Sequence, residues 1–273
     1  MPDTNHPTSI SHKGNDAPLL LALSGPTSSG KTTIANALST IFPTSIIVHA
    51  DDFYKTDAQI PLREGLQDWD CAESLDFERL WRVLRGVKGG RDVPKDLVHQ
   101  GGVENGVHAP MEKGVSGEVV ENLRIEVEAW PEMFQRRRVV IVDGFLLFGR
   151  SVRQMSSSVF DIRILLRAGY EDAKRRRESR NGYVTLEGFW QDPPGYFDKI
   201  VWPNFVEEHG WMFHDGDVEG DVERTAVDLY GNTVVGPLES EGELDGLVEW
   251  VVEELRKEIE DIARTGCWEG QKT

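Results

Sequence analysis

The sequence predicts an α/β fold in which a parallel β-sheet is flanked by helices. Short apolar runs, each too brief for a helix, alternate along the chain with segments of helical periodicity. Such alternation is typical of βα units, whose strands are buried on both faces and read as continuous apolar runs. In a sheet of this kind ligands bind at the carboxyl ends of the strands, so functional residues are expected just after each one. The predicted strands occupy residues 19–24, 45–49, 138–143 and 160–166, and the predicted helices residues 31–41, 73–87, 169–180 and 240–264.

The first predicted strand runs directly into a glycine-rich segment, GPTSSGKTT. The segment matches the phosphate-binding pattern G-x-x-x-x-G-K-[ST], in which glycines let backbone N–H groups approach phosphate oxygens. The lysine supplies a point charge toward the β- and γ-phosphates, and the hydroxyl after it suits Mg²⁺. The helix that follows directs its N-terminus at the bound anion. We therefore predict a P-loop that binds ATP through Gly25, Pro26, Thr27, Ser28, Ser29, Gly30, Lys31, Thr32 and Thr33, with Lys31 also acting in catalysis.

Two adjacent acids, Asp51 and Asp52, follow the second predicted strand. Neighbouring side chains in an extended segment point to opposite sides, so one of the two is expected to reach the site. A carboxylate near the γ-phosphate could accept a hydroxyl proton and help to hold Mg²⁺. We predict Asp51 as this base and Asp52 as the more structural of the pair. The alternative is a surface turn or helix cap, which Asp also favours.

The third predicted strand ends in Asp143, followed by Gly144 and Phe145. A hydrophobic strand closed by an acid is what the Walker B element of a P-loop enzyme requires for Mg²⁺ or its water shell. The metal set predicted here is therefore Thr32, Asp51 and Asp143. A purely structural role for Asp143 at the strand end remains open, since Asp and Gly often mark the ends of strands.

Charge is unevenly distributed along the chain. The formal net charge is −17, which disfavours polynucleotide substrates. The densest basic cluster, KRRRESR at residues 174–180, falls in the helix predicted after the fourth strand. On a helix several of its guanidinium groups share one broad face, where they could bind phosphate oxygens or neutralise a transferring phosphoryl group. A solvated basic face is the alternative.

The remaining composition indicates one enzyme domain. We expect residues 1–18 to be a disordered leader and 19–273 to form a single domain. No run approaches 18 apolar residues and no secretory signal is recognisable, so a membrane partner is not expected. The two cysteines, Cys71 and Cys267, lack metal-ligand spacing, and a cytoplasmic location is the default. Residues 86–137, rich in Gly and charge, are expected to be an irregular insertion.

Six blocks of the sequence carry a resemblance to a known family. In chain order they read GPTSSGKTTIANAL, VHADDFYK, QDWDCAESLDFERL, VIVDGFLLF, YEDAKRRRESR and DPPGYFDKIVWP. Together they resemble nicotinamide riboside kinase, and most of all its fungal form. The resemblance implies a P-loop nucleoside-kinase fold with a lid at about residues 170–195. It also implies Mg-ATP-dependent phosphorylation of the riboside 5′-hydroxyl in NAD biosynthesis, with nicotinic acid riboside as a second acceptor.

The resemblance also implies roles for individual residues. Asp51 matches the general base, and Thr32 matches the metal-binding hydroxyl. Trp69 and Asp70 match an aromatic and acid pair that holds the pyridine ring and the ribose 2′- and 3′-hydroxyls. The implied substrate set is Asp51, Asp52, Phe53, Tyr54, Trp69, Asp70, Arg177 and Tyr183. The implied ATP contacts beyond the P-loop are Arg176 and Arg180 in the lid and Val218, Glu219 and Gly220 in an adenine-side loop.

Elementary chemistry supports the Trp69 and Asp70 assignment in part. A pyridinium ring is attracted to an aromatic face, and a carboxylate can accept two hydrogen bonds from a cis-diol. The alternative is a core tryptophan beside a helix cap, because Asp70 and Glu73 have the spacing of a capping box. For the second aromatic of a pyridine sandwich Tyr183 is the natural candidate, with Phe189 and Trp190 also open.

Two other functions compete with this interpretation. A uridine or cytidine kinase, or another small-metabolite kinase of the same fold, would use the same P-loop, Asp51 and lid. A nucleotide-binding sensor would bind ATP or GTP without turning over a metabolite. Trp69, Asp70 and the DPPGYFD block argue against the first, and a base beside a diol-binding acid argues against the second.

Overall fold

A computed structural model describes residues 17–98, 114–130, 134, 137–180, 182–185, 188–239 and 244–265. The strands are β1 (Leu19–Ser24), β2 (Ile46–His49), β3 (Leu62–Arg63), β4 (Leu66–Gln67), β5 (Val139–Asp143), β6 (Ile162–Ala168), β7 (Tyr183–Val184), β8 (Phe189–Trp190) and β9 (Thr233–Glu239). The α-helices are α1 (Lys31–Ile41), α2 (Phe77–Lys88), α3 (Gly117–Val127), α4 (Arg153–Val159), α5 (Tyr170–Glu178), α6 (Trp202–His209), α7 (Arg224–Asp228) and α8 (Leu244–Thr265).

The main sheet has five strands in the order β2-β5-β1-β6-β9, and every pair in it is parallel. Strand β1 lies at the centre, where Leu21 pairs with Ile141 of β5 on one side and with Ile162 of β6 on the other. The segments that leave β1, β2, β5 and β6 therefore meet at one edge of the sheet. This confirms the predicted fold class and makes the P-loop strand and the Asp143 strand neighbours.

Side chains of the central strands alternate between two cores. Leu19, Leu21 and Leu23 of β1 pack on the face covered by α1, α3 and α8. Leu20 and Ala22 pack on the opposite face, against residues of α2 and the 205–235 region. Both faces are buried, which explains why β1 reads LLLALS with no polar alternation. Burying each leucine contributes about 1.5–3 kcal/mol.

Most predicted elements form within a few residues of their expected bounds. Helix α2 begins at Phe77 and not at 73, because the Asp76 carboxylate caps it by accepting a hydrogen bond from the Arg79 N–H at 2.9 Å. Strand β6 lies two residues later than expected. Strand β9 was not predicted, since Gly236 and Pro237 interrupt its apolar pattern. Proline is tolerated there because β9 is an edge strand of the sheet.

The stretch expected to be an irregular insertion is partly regular. Within 86–137, helix α3 begins after Ser116, whose hydroxyl accepts a hydrogen bond from the Val119 N–H. Leu123 and Val127 of α3 are buried against α1 and α8. The expectation of irregularity is therefore wrong for 117–127. The chain up to residue 16, which holds most of the predicted leader, and Cys267 lie outside the described residues. In the part that the structure describes, no helix is both long and apolar enough to cross a bilayer.

A buried histidine provides a test of the core. His209 is inaccessible to solvent, stacks on Phe205 with 4.5 Å between ring centroids, and bonds the Phe205 carbonyl through Nδ1 at 3.1 Å. Burial lowers the pKa of His209 to about 4. The unfolded chain has a histidine pKa near 6.5, so it takes up a proton first as the pH falls. The contribution of neutral His209 to the free energy of unfolding is therefore complete above about pH 6.5. It is lost progressively as the pH falls from about 6.5 to about 4.

We expect the pH-dependent part of the free energy of unfolding that comes from His209 to reach about 3 kcal/mol, and to be absent in His209→Leu. The measurement is the free energy of unfolding in urea at intervals from pH 4 to 7. The variant should be less stable overall but should lose less stability on acidification than the wild type. His214→Leu, at an exposed histidine, is the matched control. Parallel pH curves for wild type and His209→Leu would contradict the assignment.

Candidate active site

The loop between β1 and α1 has the backbone that a phosphate cradle needs. Gly25 has φ +152°, and a Cβ there would lie 2.5 Å from the Leu166 carbonyl oxygen, so a side chain is excluded. Gly30, with φ +85°, turns the chain into α1. The Ser28 and Ser29 hydroxyls are buried and have no hydrogen-bond partner within the described ranges. Buried hydroxyls of this kind fit an anion that would supply the missing acceptors.

Lys31 lies where the predicted nucleotide site and the acidic residues meet. Its Nζ donates a hydrogen bond to the Pro26 carbonyl at 2.7 Å. Burial lowers the pKa of Lys31 to about 8, while the charges of Asp143 and Asp51 act in the opposite direction. Bound phosphate would favour the charged form of the lysine. Lys31 and both acids therefore belong to one electrostatic site.

Asp143 accepts hydrogen bonds from two sides. The Thr32 hydroxyl donates to Asp143 Oδ2 at 2.7 Å, and His49 Nδ1 lies 3.2 Å from the same oxygen. Burial alone would raise the pKa of Asp143, but His49, Lys31 and Thr32 outweigh it and hold that pKa below its usual value. The carboxylate is thus kept ionised. Asp143 therefore belongs to a polar centre to which α1, β2 and β5 each contribute one residue.

Two oxygen donors for a divalent cation meet at the contact between Thr32 and Asp143. Mg²⁺ is usually held by one or two carboxylates, with phosphate oxygens and waters completing an octahedron. Among the residues that the structure describes, no group of three or more His, Cys, Asp or Glu side chains is placed to hold a metal ion. A hydroxyl and an ionised carboxylate beside the P-loop fit an Mg²⁺ ion delivered with a nucleotide.

The turn after β2 separates the two adjacent acids. Residues Ala50–Phe53 form a single 3₁₀ turn, in which Asp51 is exposed and Asp52 is partly buried. The negative charge of Asp51 favours the protonated form of His49 and opposes the lowering of the Lys31 pKa. Phe53, a member of the predicted substrate set, has a side chain that is only 1% exposed and packs in the core. Its predicted contact with a substrate stays a prediction.

Asp70 and Arg177 form a buried, bidentate ion pair across 107 residues of sequence. Arg177 Nη1 donates to Asp70 Oδ1 at 2.6 Å, and Nη2 donates to Oδ2 at 2.9 Å. Arg177 also donates through Nε to Asp192 Oδ2 at 2.6 Å. Asp70 does not cap α2, since Asp76 does. The pair joins the segment after β4 to the predicted lid.

Aromatic rings surround this ion pair. Trp69 contacts Tyr54 edge-on with 5.6 Å between ring centroids, and contacts Trp190 at 5.8 Å. The Tyr196 ring lies 5.7 Å from Trp190, and its hydroxyl accepts a hydrogen bond from the Trp69 N–H at 3.0 Å. Phe145, just after β5, stacks on Tyr54. These five rings join the segment after β4, the predicted lid and the loop after Asp143.

Of the three candidates for a second aromatic, Trp190 is the one in contact with Trp69. Tyr183 faces the lid arginines instead, with its ring 5.2 Å from the Arg177 guanidinium carbon and 5.5 Å from that of Arg180. Phe189 is 58% exposed. The geometry therefore favours Trp190 over the predicted Tyr183.

The basic cluster of α5 divides into two groups. Arg176 Nη1 donates to the Ser28 carbonyl of the P-loop at 3.2 Å, and the charge of Arg180 acts on the pKa of Lys31. Lys174 forms an ion pair with Asp198, and the exposed Arg175 forms one with Asp172 of its own helix. Phosphate binding is therefore the better interpretation for Arg176 and Arg180. A solvated basic face is the better interpretation for Lys174 and Arg175.

The predicted adenine-side loop is anchored beside the P-loop. Arg167, at the end of β6, donates through Nη2 to the carbonyls of Val218 at 3.1 Å and Gly220 at 2.7 Å. Glu219 Oε1 accepts from the Tyr170 N–H at 3.0 Å. Because β6 is the neighbour of β1, the loop lies next to the strand that carries the phosphate cradle.

Sequence reasoning gave no role to three residues of this site. His49 could have been identified, because it ends β2 at the carboxyl edge and precedes Asp51 by two residues. Asp192 and Tyr196 lie in the DPPGYFD block, which carries part of the family resemblance. Asp192 meets Arg177 across the β7–β8 hairpin, and Tyr196 meets Trp69 127 positions away, so no local pattern carries those contacts.

Comparison with known proteins gives relatives that cover most of the chain. The nicotinamide riboside kinase of Schizosaccharomyces pombe is 40% identical over 202 residues, which are 74% of this chain and 84% of that protein. The enzyme of that name from Saccharomyces cerevisiae is 40% identical over 205 residues, 74% and 82% of the two chains. Nicotinamide riboside kinase 2 of Mus musculus is 32% identical over 199 residues, 72% and 83%. No family model matches the chain. The length and level of these similarities show that the chain belongs to the nicotinamide riboside kinase family.

Proposed function

We propose that this protein transfers the γ-phosphoryl group of ATP to the 5′-hydroxyl of nicotinamide riboside, giving nicotinamide mononucleotide for NAD biosynthesis. Nicotinic acid riboside is the second acceptor. The observation that carries the proposal is the continuity between two half-sites. Arg176 Nη1 donates to the Ser28 carbonyl of the phosphate cradle at 3.2 Å, and the next residue, Arg177, binds Asp70 beside the Trp69 ring. A P-loop joined in this way to an aromatic and carboxylate site suits a nucleotide donor and a cationic riboside acceptor.

At the phosphate end, the chain supplies a base and a cluster of cations. Asp51 accepts the proton of the 5′-hydroxyl, and Lys31 neutralises charge on the phosphates. Arg176 and Arg180 reach the same region from the lid. Thr32 and Asp143 would hold Mg²⁺, which when bound neutralises charge on the phosphate oxygens. Their shared contact at 2.7 Å supports this assignment.

At the riboside end, Asp70 accepts hydrogen bonds from the ribose 2′- and 3′-hydroxyls. Each of its oxygens receives one N–H from Arg177 and keeps a lone pair for a hydroxyl. The pyridinium ring lies against Trp69, and we assign the second aromatic contact to Trp190 in place of Tyr183. We further propose that the enzyme acts in the cytoplasm and not on polynucleotides, which its net charge of −17 would repel.

The decisive experiment measures ADP release with Mg-ATP and a panel of acceptors. The panel contains nicotinamide riboside, nicotinic acid riboside, uridine and cytidine, with a reaction that lacks any acceptor. The proposal predicts release that depends on the pyridine ribosides. Preference for uridine or cytidine would keep the mechanism and reject the substrate. Nucleotide binding without acceptor-dependent release would favour the sensor.

Of the two substrates, only the riboside should bind more weakly when the diol-binding carboxylate is removed. We expect Asp70→Ala to raise the riboside KM by about tenfold or more, the scale of one hydrogen bond to a charged group, with the ATP KM nearly unchanged. Steady-state kinetics with each substrate varied in turn provides the measurement. Asp76→Ala, which removes the true cap of α2, is the control and should cost only about 1 kcal/mol of stability. An unaltered riboside KM in Asp70→Ala would reduce that carboxylate to a structural partner of Arg177.

A further inference from the structure

Asp192 joins the two parts of the riboside half-site. Its Oδ2 accepts a hydrogen bond from Arg177 Nε at 2.6 Å, and its Oδ1 accepts one from Trp190 Nε1 at 2.9 Å. Oδ1 also lies 3.2 Å from Arg177 Nη2. The side chain is 20% exposed, so most of its surface is in contact with protein. One carboxylate thus holds both the guanidinium that binds Asp70 and the indole that faces Trp69.

These contacts fix two orientations. By taking Nε, Asp192 leaves the terminal Nη1 and Nη2 of Arg177 directed at Asp70, which is the bidentate geometry observed. Asp192 also accepts a hydrogen bond from the indole N–H of Trp190 and so fixes the rotation of that ring. The ring contacts with Tyr196 and Trp69 alone would leave Trp190 more freedom to rotate.

The charges of this three-residue group do not balance. Asp70 and Asp192 carry two negative charges, and Arg177, which lies between them, carries one positive charge. One negative charge therefore remains within the group, which adjoins the buried Trp69 and the indole N–H of Trp190. A positively charged ring gains from this surplus, and a ring with its own carboxylate gains less.

We propose that Asp192 is a specificity-determining residue, which orients Trp190 and supplies the negative charge by which the site prefers a cationic pyridine ring over a zwitterionic one. The inference rests on the proposed function and assigns its substrate preference. Nicotinamide riboside is the cationic acceptor, and nicotinic acid riboside is the zwitterionic one.

The test compares the wild type and four variants with both ribosides. Asp192→Asn keeps an oxygen for the Trp190 N–H and removes the charge. Trp190→Phe keeps the charge and removes the N–H. Asp198→Asn is the matched control, since Asp198 lies in the same region but binds the exposed Lys174 and Tyr170. The readouts are the KM for each riboside, or the inhibition constant where a riboside is not turned over, together with kcat and the ATP KM.

Asp192→Asn should raise the KM for nicotinamide riboside by about tenfold and that for nicotinic acid riboside by about threefold, with the ATP KM unchanged. Trp190→Phe should weaken both ribosides equally, and Asp198→Asn should alter neither. Asp192→Glu, which keeps the charge, should preserve the ratio of the two constants even if both rise. It also covers the case in which Asp192→Asn does not fold.

Two results would overturn the inference alone: an unchanged riboside KM in Asp192→Asn, or an equal loss for both ribosides. In either case the wild type still releases ADP with a pyridine riboside, so the proposed function stands. A wild type that is inactive with both ribosides overturns the proposed function and this inference together.

Discussion

Asp51→Asn is expected to lower kcat by about 10²-fold or more while ATP affinity stays near that of the wild type. Asparagine has the shape of aspartate but cannot accept the proton of the 5′-hydroxyl at neutral pH. The Asp51 carboxylate is exposed and lies within the field of Lys31, so the substitution removes a charge from the reacting centre without opening the core. Steady-state ADP release and equilibrium ATP binding, measured on the same preparation, separate the two effects.

The neighbouring acid provides the control for this prediction. Asp52→Asn makes the same chemical change in the same 3₁₀ turn. We expect kcat to change by less than about threefold, since Asp52 is predicted to contact the substrate but not to take its proton, and uniform binding does not change kcat. Near-normal turnover in Asp51→Asn would remove that residue from the role of base. A larger loss in Asp52→Asn than in Asp51→Asn would transfer the role to its neighbour.

Arg177→Met should have the largest effect on stability. The substitution keeps an unbranched apolar stem and leaves Asp70 and Asp192 facing each other without a cation. Breaking a buried ion pair in this way costs about 3–5 kcal/mol. For a chain of this size that corresponds to a fall in Tm of roughly 6–20 °C. Riboside-dependent ADP release should be lost as well. Thermal and urea unfolding of the purified variant provide the measurement.

Two further variants distinguish the loss of the Arg177 charge from the loss of its packing. Arg175→Met removes an arginine of the same helix that is 60% exposed, and should change stability by less than about 0.5 kcal/mol. Arg177→Met combined with Asp70→Asn and Asp192→Asn should recover much of the lost stability, because no buried charge is then unpaired, but it should not recover activity. If Arg177→Met unfolds like the wild type, the ion pair makes no net contribution to stability.

The fold could be predicted because its central strands are buried on both faces. A run such as LLLALS has few alternatives, and the glycines that follow it specify the turn into α1. The same reasoning does not predict β9, where Gly236 and Pro237 interrupt the apolar run. It also does not predict α3, in which charged residues alternate with the apolar ones along the sequence. Both packed elements depend on contacts with the rest of the chain for their stability.

The candidate site was predictable where chemistry directly follows a strand. The P-loop, Asp51 and Asp143 all follow that rule, and the structure brings them together; their roles in binding and catalysis stay predictions. The lid was harder. Tyr183 and Trp190 pair across a two-stranded hairpin, and only the folded position of the hairpin decides which of them meets Trp69. Asp192 follows β8, so its contact with Arg177 likewise depends on the folded position of the hairpin.

The central position of β1 also has a consequence during synthesis. Leu21 pairs with Ile141 on one side and with Ile162 on the other, so both neighbours of the strand are made more than 100 residues after it. At about 5–20 residues per second, the 120 residues from 21 to 141 take roughly 6–24 s to synthesise. Through that interval a six-residue apolar segment, the one that carries the phosphate cradle, has no sheet to enter. Until β5 and β6 are made, the nascent chain therefore carries an apolar strand that lacks both of its native neighbours, which is the condition that favours association between unfinished chains.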